Sequence, residues 1–407
     1  MAIELSNLTF TEQDDIVPAS GEEIIVNTGI ANTLAGNDSI TGDTTNSISG
    51  ETNGIYNSGT LNTEDGNDII NGISTTVPID SSPPNGWGIH NETGIIETGN
   101  GNDIIAGVGR RGGIISTYGT IDTGDDNDTI TGVSTTGVVG RRSGGIILSN
   151  TTLNTGEGND VIIGTLENLT GWGIYNNQSI FNTGDGNDII IGDSTHSTNS
   201  GVGISNTGSM DTGDGNDIIT GLSETTVGFA NSGIINTGEG ADSIIGRAGF
   251  FNGVGISNIG TINTGNGDDT ITGSGFIGIE NRGIINTGNG EDSIITQEKF
   301  LNSGVIFLEN GADFIIADRG FDGTGSVFLG NGKDYLKGFG SGNFDGGRGK
   351  DTLELTPGSY LVTISPAGWN FAKDGIIMNT VGFEQLIAGE QTYDFTSLTA
   401  GQRITVA

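Results

Sequence analysis

A short glycine- and aspartate-rich segment returns thirteen times along this chain. A repeat of that kind commits a sequence to stacking one supersecondary unit on the next instead of folding around a single core. The clearest copy runs Asn182-Thr183-Gly184-Asp185-Gly186-Asn187-Asp188-Ile189-Ile190-Ile191-Gly192. The copies end in Asp38, Asp68, Asp103, Asp128, Asp160, Asp188, Asp217, Asp242, Asp269, Asp292, Asp313, Asp334 and Asp351. A glycine stands two residues before the aspartate in every copy except the fourth, where Asp126 replaces it, and a hydrophobic residue always follows two positions after.

A second element lies upstream of most copies, as in Gly255-Ile256-Ser257-Asn258-Ile259-Gly260-Thr261-Ile262. Apolar and small or polar residues alternate there in runs too short for a helix, so the pattern reads as short strands between tight turns. One repeat is then strand, turn, strand, aspartate loop and strand. The fold class that follows is all-β: a right-handed parallel β-solenoid of the β-roll or β-helix kind, with irregular lateral inserts and a small C-terminal β cap.

Successive motif aspartates are 30, 35, 25, 32, 28, 29, 25, 27, 23, 21, 21 and 17 residues apart, so the coils shorten toward the C-terminus. The variation falls between the loop's trailing strand and the next Gly-Ile element, in inserts such as Ser74 to Trp87 and Asp193 to Val202. Inserts at one fixed point of every coil should form one ragged flank. Residues 1–30 read as an N-terminal cap, 31–319 as irregular aspartate-loop coils, 320–355 as tight repeats, and 356–407, with Trp369, Phe371, Phe383 and Phe395, as a C-terminal cap.

Charge narrows the partners. Fifty acidic residues against 14 Lys and Arg give a formal charge of -36, which excludes nucleic acid and anionic membranes as natural ligands. Cysteine is absent and only two histidines occur, so neither disulfides nor a zinc or copper centre is expected. No stretch approaches the ~20 apolar residues of a membrane span. The N-terminus lacks the basic and apolar regions of a secretory leader.

Stacked loops bring carboxylates into a row at ~4.8 Å. Their mutual repulsion calls for a divalent cation between loops, and an oxygen-only donor set selects Ca²⁺. Acid, by protonating the row, should mimic chelation. The alternative is that Gly, Asn and Asp supply turn chemistry only, with the solenoid held by its core and by stacked asparagines such as Asn258 and Asn281.

Gly346-Gly347-Arg348-Gly349-Lys350-Asp351-Thr352-Leu353-Glu354 and Leu329-Gly330-Asn331-Gly332-Lys333-Asp334-Tyr335-Leu336-Lys337 resemble the nonapeptide of the haemolysin-type, or repeats-in-toxin (RTX), calcium-binding family. The resemblance implies that Asp334 and Asp351, with Gly330, Gly332, Gly347 and Gly349, are the strongest ligands. Asp103, Asp128, Asp160, Asp188, Asp217, Asp242, Asp269, Asp292 and Asp313 follow as further metal residues. Ten loops depart from the pattern by placing Thr, from Thr33 to Thr287, where the family has its first glycine. Leu34 and Glu64 replace the second glycine and Asp126 the third, which marks the first, second and fourth loops as empty or distorted. Family likeness also implies type I secretion through an uncleaved C-terminal signal, hence an extracellular or cell-surface location.

The function expected is therefore a secreted, non-enzymatic calcium-binding solenoid, its calcium coupled to folding after export. A cell-surface, glycan or self-association partner would meet the lateral inserts. Competing readings are a metal-independent adhesin or extracellular fibre or matrix subunit, and a polysaccharide-acting β-helix enzyme. Gly107-Val108-Gly109-Arg110-Arg111-Gly112 matches a dinucleotide fingerprint but no helix pattern follows it. Arg110-Arg111 and Arg141-Arg142 read as local charge neutralisation, His90 and His196 as ordinary residues, and Trp87 and Trp172 as packing where an insert rejoins its coil.

Overall fold

A computed structural model describes residues 2–19, 24–45, 53–75, 86–135, 143–167, 170–249, 251–366 and 368–407. One coil serves for all. Gly144–Ser149 forms a strand of the first sheet (A), a tight turn leads to Thr152–Asn154 in a second (C), the loop Thr155 to Asp160 turns the corner, and Val161–Leu166 enters a third (B). Each strand pairs in parallel with its counterpart one coil before and after: Ile146 with Ile114 and Ile174, Leu153 with Ile121 and Phe181, Ile162 with Ile130 and Ile190. Sheet A has 13 strands and sheet B 16 among the described residues. The fold is a parallel β-solenoid.

Alternation within the short strands puts one aliphatic side chain per sheet per coil into the interior. Ile146, Leu153 and Ile162 are all fully buried, and their equivalents line the full length of the core. Sheets A and B converge along two columns of glycine. A Cβ on Gly164 would lie 2.2 Å from the carbonyl oxygen of Gly173, so the backbones touch there and no side chain fits. This explains the glycine in the trailing Ile-Ile-x-Gly strand and the one in the Gly-Ile element. Both are demanded by close approach, not by turn conformation.

The described inserts all leave at the junction between a B strand and the next A strand, as at Ser194 to Ser200 and Arg247 to Val254. Most of the Ser74–Trp87 insert, and both Arg141 and Arg142, lie outside the described residues. Near the start of the chain, Ala2–Glu4 and Ile16–Ala19 pair into sheets A and B beside the first full coil. At the other end Gly358–Ser365, Gly368–Lys373, Ile376–Val381 and Arg403–Val406 pair antiparallel, which ends the parallel stacking.

Candidate metal-binding row

Each aspartate loop begins with a buried residue, usually Thr, and ends with the motif aspartate, which is equally buried. The glycines between them take left-handed or extended backbone: φ is +80° at Gly184 and +155° at Gly186, conformations that side chains resist. Stacking tightens the demand, because a Cβ on Gly186 would meet the carbonyl oxygen of Gly158 at 1.5 Å. The four C-terminal glycines obey the same rule. A Cβ on Gly330, Gly332, Gly347 or Gly349 would meet a carbonyl oxygen of the preceding coil at 1.8, 1.4, 1.9 and 1.6 Å. Glycine carbonyls are thus presented coil upon coil along the loop corner.

All thirteen motif aspartates fall in one row, but the row is inside the molecule instead of on an open edge. Asp103, Asp128, Asp160, Asp188, Asp217, Asp242, Asp269, Asp292, Asp313, Asp334 and Asp351 are each no more than 2% exposed, as are Asp38 and Asp68. One carboxylate oxygen has a fixed task. Oδ1 of each aspartate accepts the backbone N–H of the aspartate one coil earlier, at 2.8 Å from Asp160 to Asp188 and from Asp188 to Asp217, and at 2.9 Å from Asp334 to Asp351. The other oxygen, Oδ2, is buried and makes no well-aligned hydrogen bond in any of the thirteen; in ten loops the threonine hydroxyl lies near the carboxyl, and at Asp313, Asp334 and Asp351 there is none.

The ladder has ends that the repeat pattern did not reveal. Asp15 donates its backbone N–H to Asp38 Oδ1 at 2.7 Å, and Glu384 Oε2 accepts the N–H of Asp351 at 2.8 Å. Glu384 stands in register with Asp351, since the next residues, Gln385 and Thr352, pair across the sheet. Its signal was the following Gln385-Leu386-Ile387, a strand pattern without the glycines that mark a loop.

The threonines that stand in place of the family's first glycine are buried, and none of them has a positive φ. Thr63 Oγ1 donates to the carbonyl of Thr98 and Thr237 Oγ1 to that of Thr264, while the hydroxyls of Thr123 and Thr287 make no backbone bond and lie beside the carboxyls of Asp128 and Asp292. The last loops differ: Leu308 and Leu329 are buried at the equivalent position and supply no hydroxyl. Leu34, Glu64 and Asp126 adopt φ of 68°, 62° and 90°. Those loops keep the ladder, with Asp38 to Asp68 at 2.7 Å and Asp128 to Asp160 at 2.8 Å, while the three non-glycine residues hold strained left-handed backbone.

Burial, ahead of every other cause, holds these carboxyls above the usual carboxylate range. Neighbouring aspartates add to the rise at many of them, and the ladder N–H, with the nearby threonine hydroxyl where there is one, opposes it. Asp128 and Asp313 are pushed up to about 8, Asp103, Asp160, Asp217, Asp269 and Asp351 to about 7, and Asp68 and Asp188 to about 6. Asp38, Asp242, Asp292 and Asp334 move in the same direction.

The loop corner carries buried carboxylate oxygens, glycine carbonyls and, in ten coils, threonine hydroxyls, the oxygen donor types that hard cations take. Among the described residues no three His, Cys, Asp or Glu side chains gather at one point. A cation in this row would therefore draw on one or two carboxylates and complete its shell with carbonyls, hydroxyls and water. The other residues singled out from sequence are engaged elsewhere: Arg111 lies over the Trp87 ring at 5.1 Å, Trp172 stacks on Tyr175 at 4.4 Å, and His90 meets Tyr56 edge-on at 5.3 Å.

No family model matches the chain, and no curated protein is similar to it. Among solved structures it is similar to a hyperactive, Ca²⁺-dependent, beta-helical antifreeze protein from an Antarctic bacterium. The identity is 16%, the TM-score 0.38, and the match covers 95% of this chain and 94% of that one. No helix among the described residues is long and apolar enough to cross a membrane.

Proposed function

We propose that this protein is a secreted, non-enzymatic calcium-binding β-solenoid with loops of the haemolysin type, whose cations occupy the buried aspartate row and complete its folding after export. The observation that carries the reading is the second oxygen of each motif aspartate. Oδ1 alone would explain a ladder, and asparagine would serve it equally well. Thirteen buried Oδ2 atoms without a well-aligned partner, three of them (Asp313, Asp334 and Asp351) lacking even a threonine hydroxyl nearby, ask for a cation or a proton. At extracellular calcium near millimolar, typical of the ~10⁻⁴ to 10⁻³ M affinity of extracellular modules, the cation is favoured.

A second reading has its own support. The Oδ1 ladder closes without metal, and the raised carboxyl pKa values let a proton do the cation's work, which suits a metal-independent adhesin or matrix subunit. Calorimetric calcium titration from a chelated start separates the two. Several equivalents per chain, with compaction and β-sheet gain by circular dichroism, are expected. The tightest sites should vanish with Asp334→Asn and Asp351→Asn. Absence of binding heat, with identical spectra in chelator and calcium, would leave only the metal-independent solenoid.

A further inference from the structure

The outer face of sheet C changes character at its C-terminal end. In the outward position next to the aspartate loop, residues paired in register run Asn182, Asp211, Asn236, Asn263 and Asn286, and then Phe307 and Phe328. The two rings stack with centroids 5.2 Å apart and planes 11° from parallel. No ring continues the stack, because the next residue in that row is Asp345. Phe307 covers one face of Phe328. The other face, on a side chain 38% exposed, borders a pocket of about 120 Å³ where sheet C passes into the antiparallel C-terminal strands.

Three asparagines meet at this pocket. Asn343, Asn379 and Asn370 stand in register on three adjacent strands, beside the row that holds Phe328 and Asp345. Asn379 Nδ2 donates to Asn343 Oδ1 at 3.1 Å, in a bond exposed to water. Asn370 Oδ1 has no donor in the protein, so nothing fixes that amide through its oxygen. Asp345, whose Oδ1 accepts the N–H of Gly347 at 3.0 Å, is the one charged residue among the described residues of the lining.

We propose that this pocket binds a single neutral pyranose ring. Its size sets the limit, since a cavity of ~150 Å³ admits one benzene ring. An open aromatic face beside a cluster of amides suits a ligand that is apolar on one face and fringed with hydroxyls. The sugar's C–H groups lie against Phe328, and its hydroxyls bond to amides that donate and accept alike. A purely aromatic ligand would cover those amides without pairing them. Charge excludes sugar acids, because Asp345 lines the pocket and the chain carries a formal charge of -36.

Saturation-transfer NMR titration of the full chain in millimolar calcium, with the methyl glycosides of glucose, galactose, mannose and N-acetylglucosamine, tests this. At least one should bind with a roughly millimolar dissociation constant, as fits a ligand of about a dozen heavy atoms. Glucuronate should bind at least ~10-fold more weakly. Phe328→Ala should weaken the bound glycoside by roughly 10-fold and Asn379→Ala by roughly 5-fold, both with the circular dichroism and calcium stoichiometry of the wild type. Phe328→Trp should keep binding, since it restores the stacking face. Phe251→Ala, at a ring 95% exposed on an insert, should change nothing. Failure of every glycoside to bind at ~50 mM, glucuronate bound as tightly, or an affinity unmoved by Phe328→Ala overturns the inference.

Discussion

Each motif aspartate has two oxygens with different fates, and burial makes the second a liability that a proton relieves as well as a cation does. This changes the expected effect of acid. A carboxyl whose pKa is raised on folding binds protons more tightly in the folded state, so its contribution to stability is full below the unfolded value near 3.8 and is lost as pH rises through the folded value. For Asp217 and Asp269 that loss runs from the unfolded value up to about pH 7, where it is complete, and for Asp128 and Asp313 up to about 8. In chelator, the melting temperature should therefore fall by roughly 10 °C between pH 5 and pH 8, while in millimolar calcium the fall should shrink or vanish. Acid should therefore displace a bound cation without mimicking chelation. Asp217→Asn should give a complementary result: it keeps the Oδ1 acceptor and removes the buried charge, so it should raise the melting temperature in chelator at pH 8 while lowering calcium stoichiometry. Differential scanning fluorimetry and calorimetry read both.

Within the coil, polar ladders differ in worth by where they sit. On the inner side of the turn from sheet A to sheet C, Asn206 Nδ2 donates to Asn231 Oδ1, Asn231 to Asn258 and Asn258 to Asn281, at 2.9 Å each. All four asparagines are essentially inaccessible to solvent. Leu148 interrupts this ladder, and Asn176 Oδ1 on the following coil is consequently left without a donor. A parallel ladder at the loop surface, Asn187 to Asn159 at 2.9 Å, is exposed to water. Asn258→Ala should thus cost ~2–3 kcal/mol, because two buried partners lose their hydrogen bonds, whereas Asn187→Ala should stay within about 0.5 kcal/mol. Gly164→Ala should cost ~3 kcal/mol by forcing sheets A and B apart. Urea denaturation in millimolar calcium ranks the three.

At the scale of the molecule, a stack of coils is only as secure as its ends. The C-terminal strands replace parallel pairing with antiparallel pairing, and Glu384 closes the aspartate ladder by accepting from Asp351. A chain cut after residue 355 would expose the inner side chains of Leu353 and Leu355 and a bare strand edge. It should aggregate on refolding even in calcium, as light scattering would show. Glu384→Ala should do less, lowering stability by ~1–3 kcal/mol through the unpaired Asp351 N–H.

The solenoid, the one-flank position of the inserts and the alignment of thirteen aspartates were legible in the sequence, because each follows from a period and a period is a one-dimensional property. The pairing of Asn258 with Asn281 followed the same logic. Tertiary structure alone decided which way the carboxylates face, since a loop at a solenoid corner turns residues inward or outward according to glycine φ values that spacing does not encode. It also decided that Thr33 to Thr287 would point into the row, that Glu384 would end it without a loop motif, and that the Gly164 and Gly173 columns would meet. Those are contacts between residues brought together by stacking and closure, and only the closed coil sets their distances.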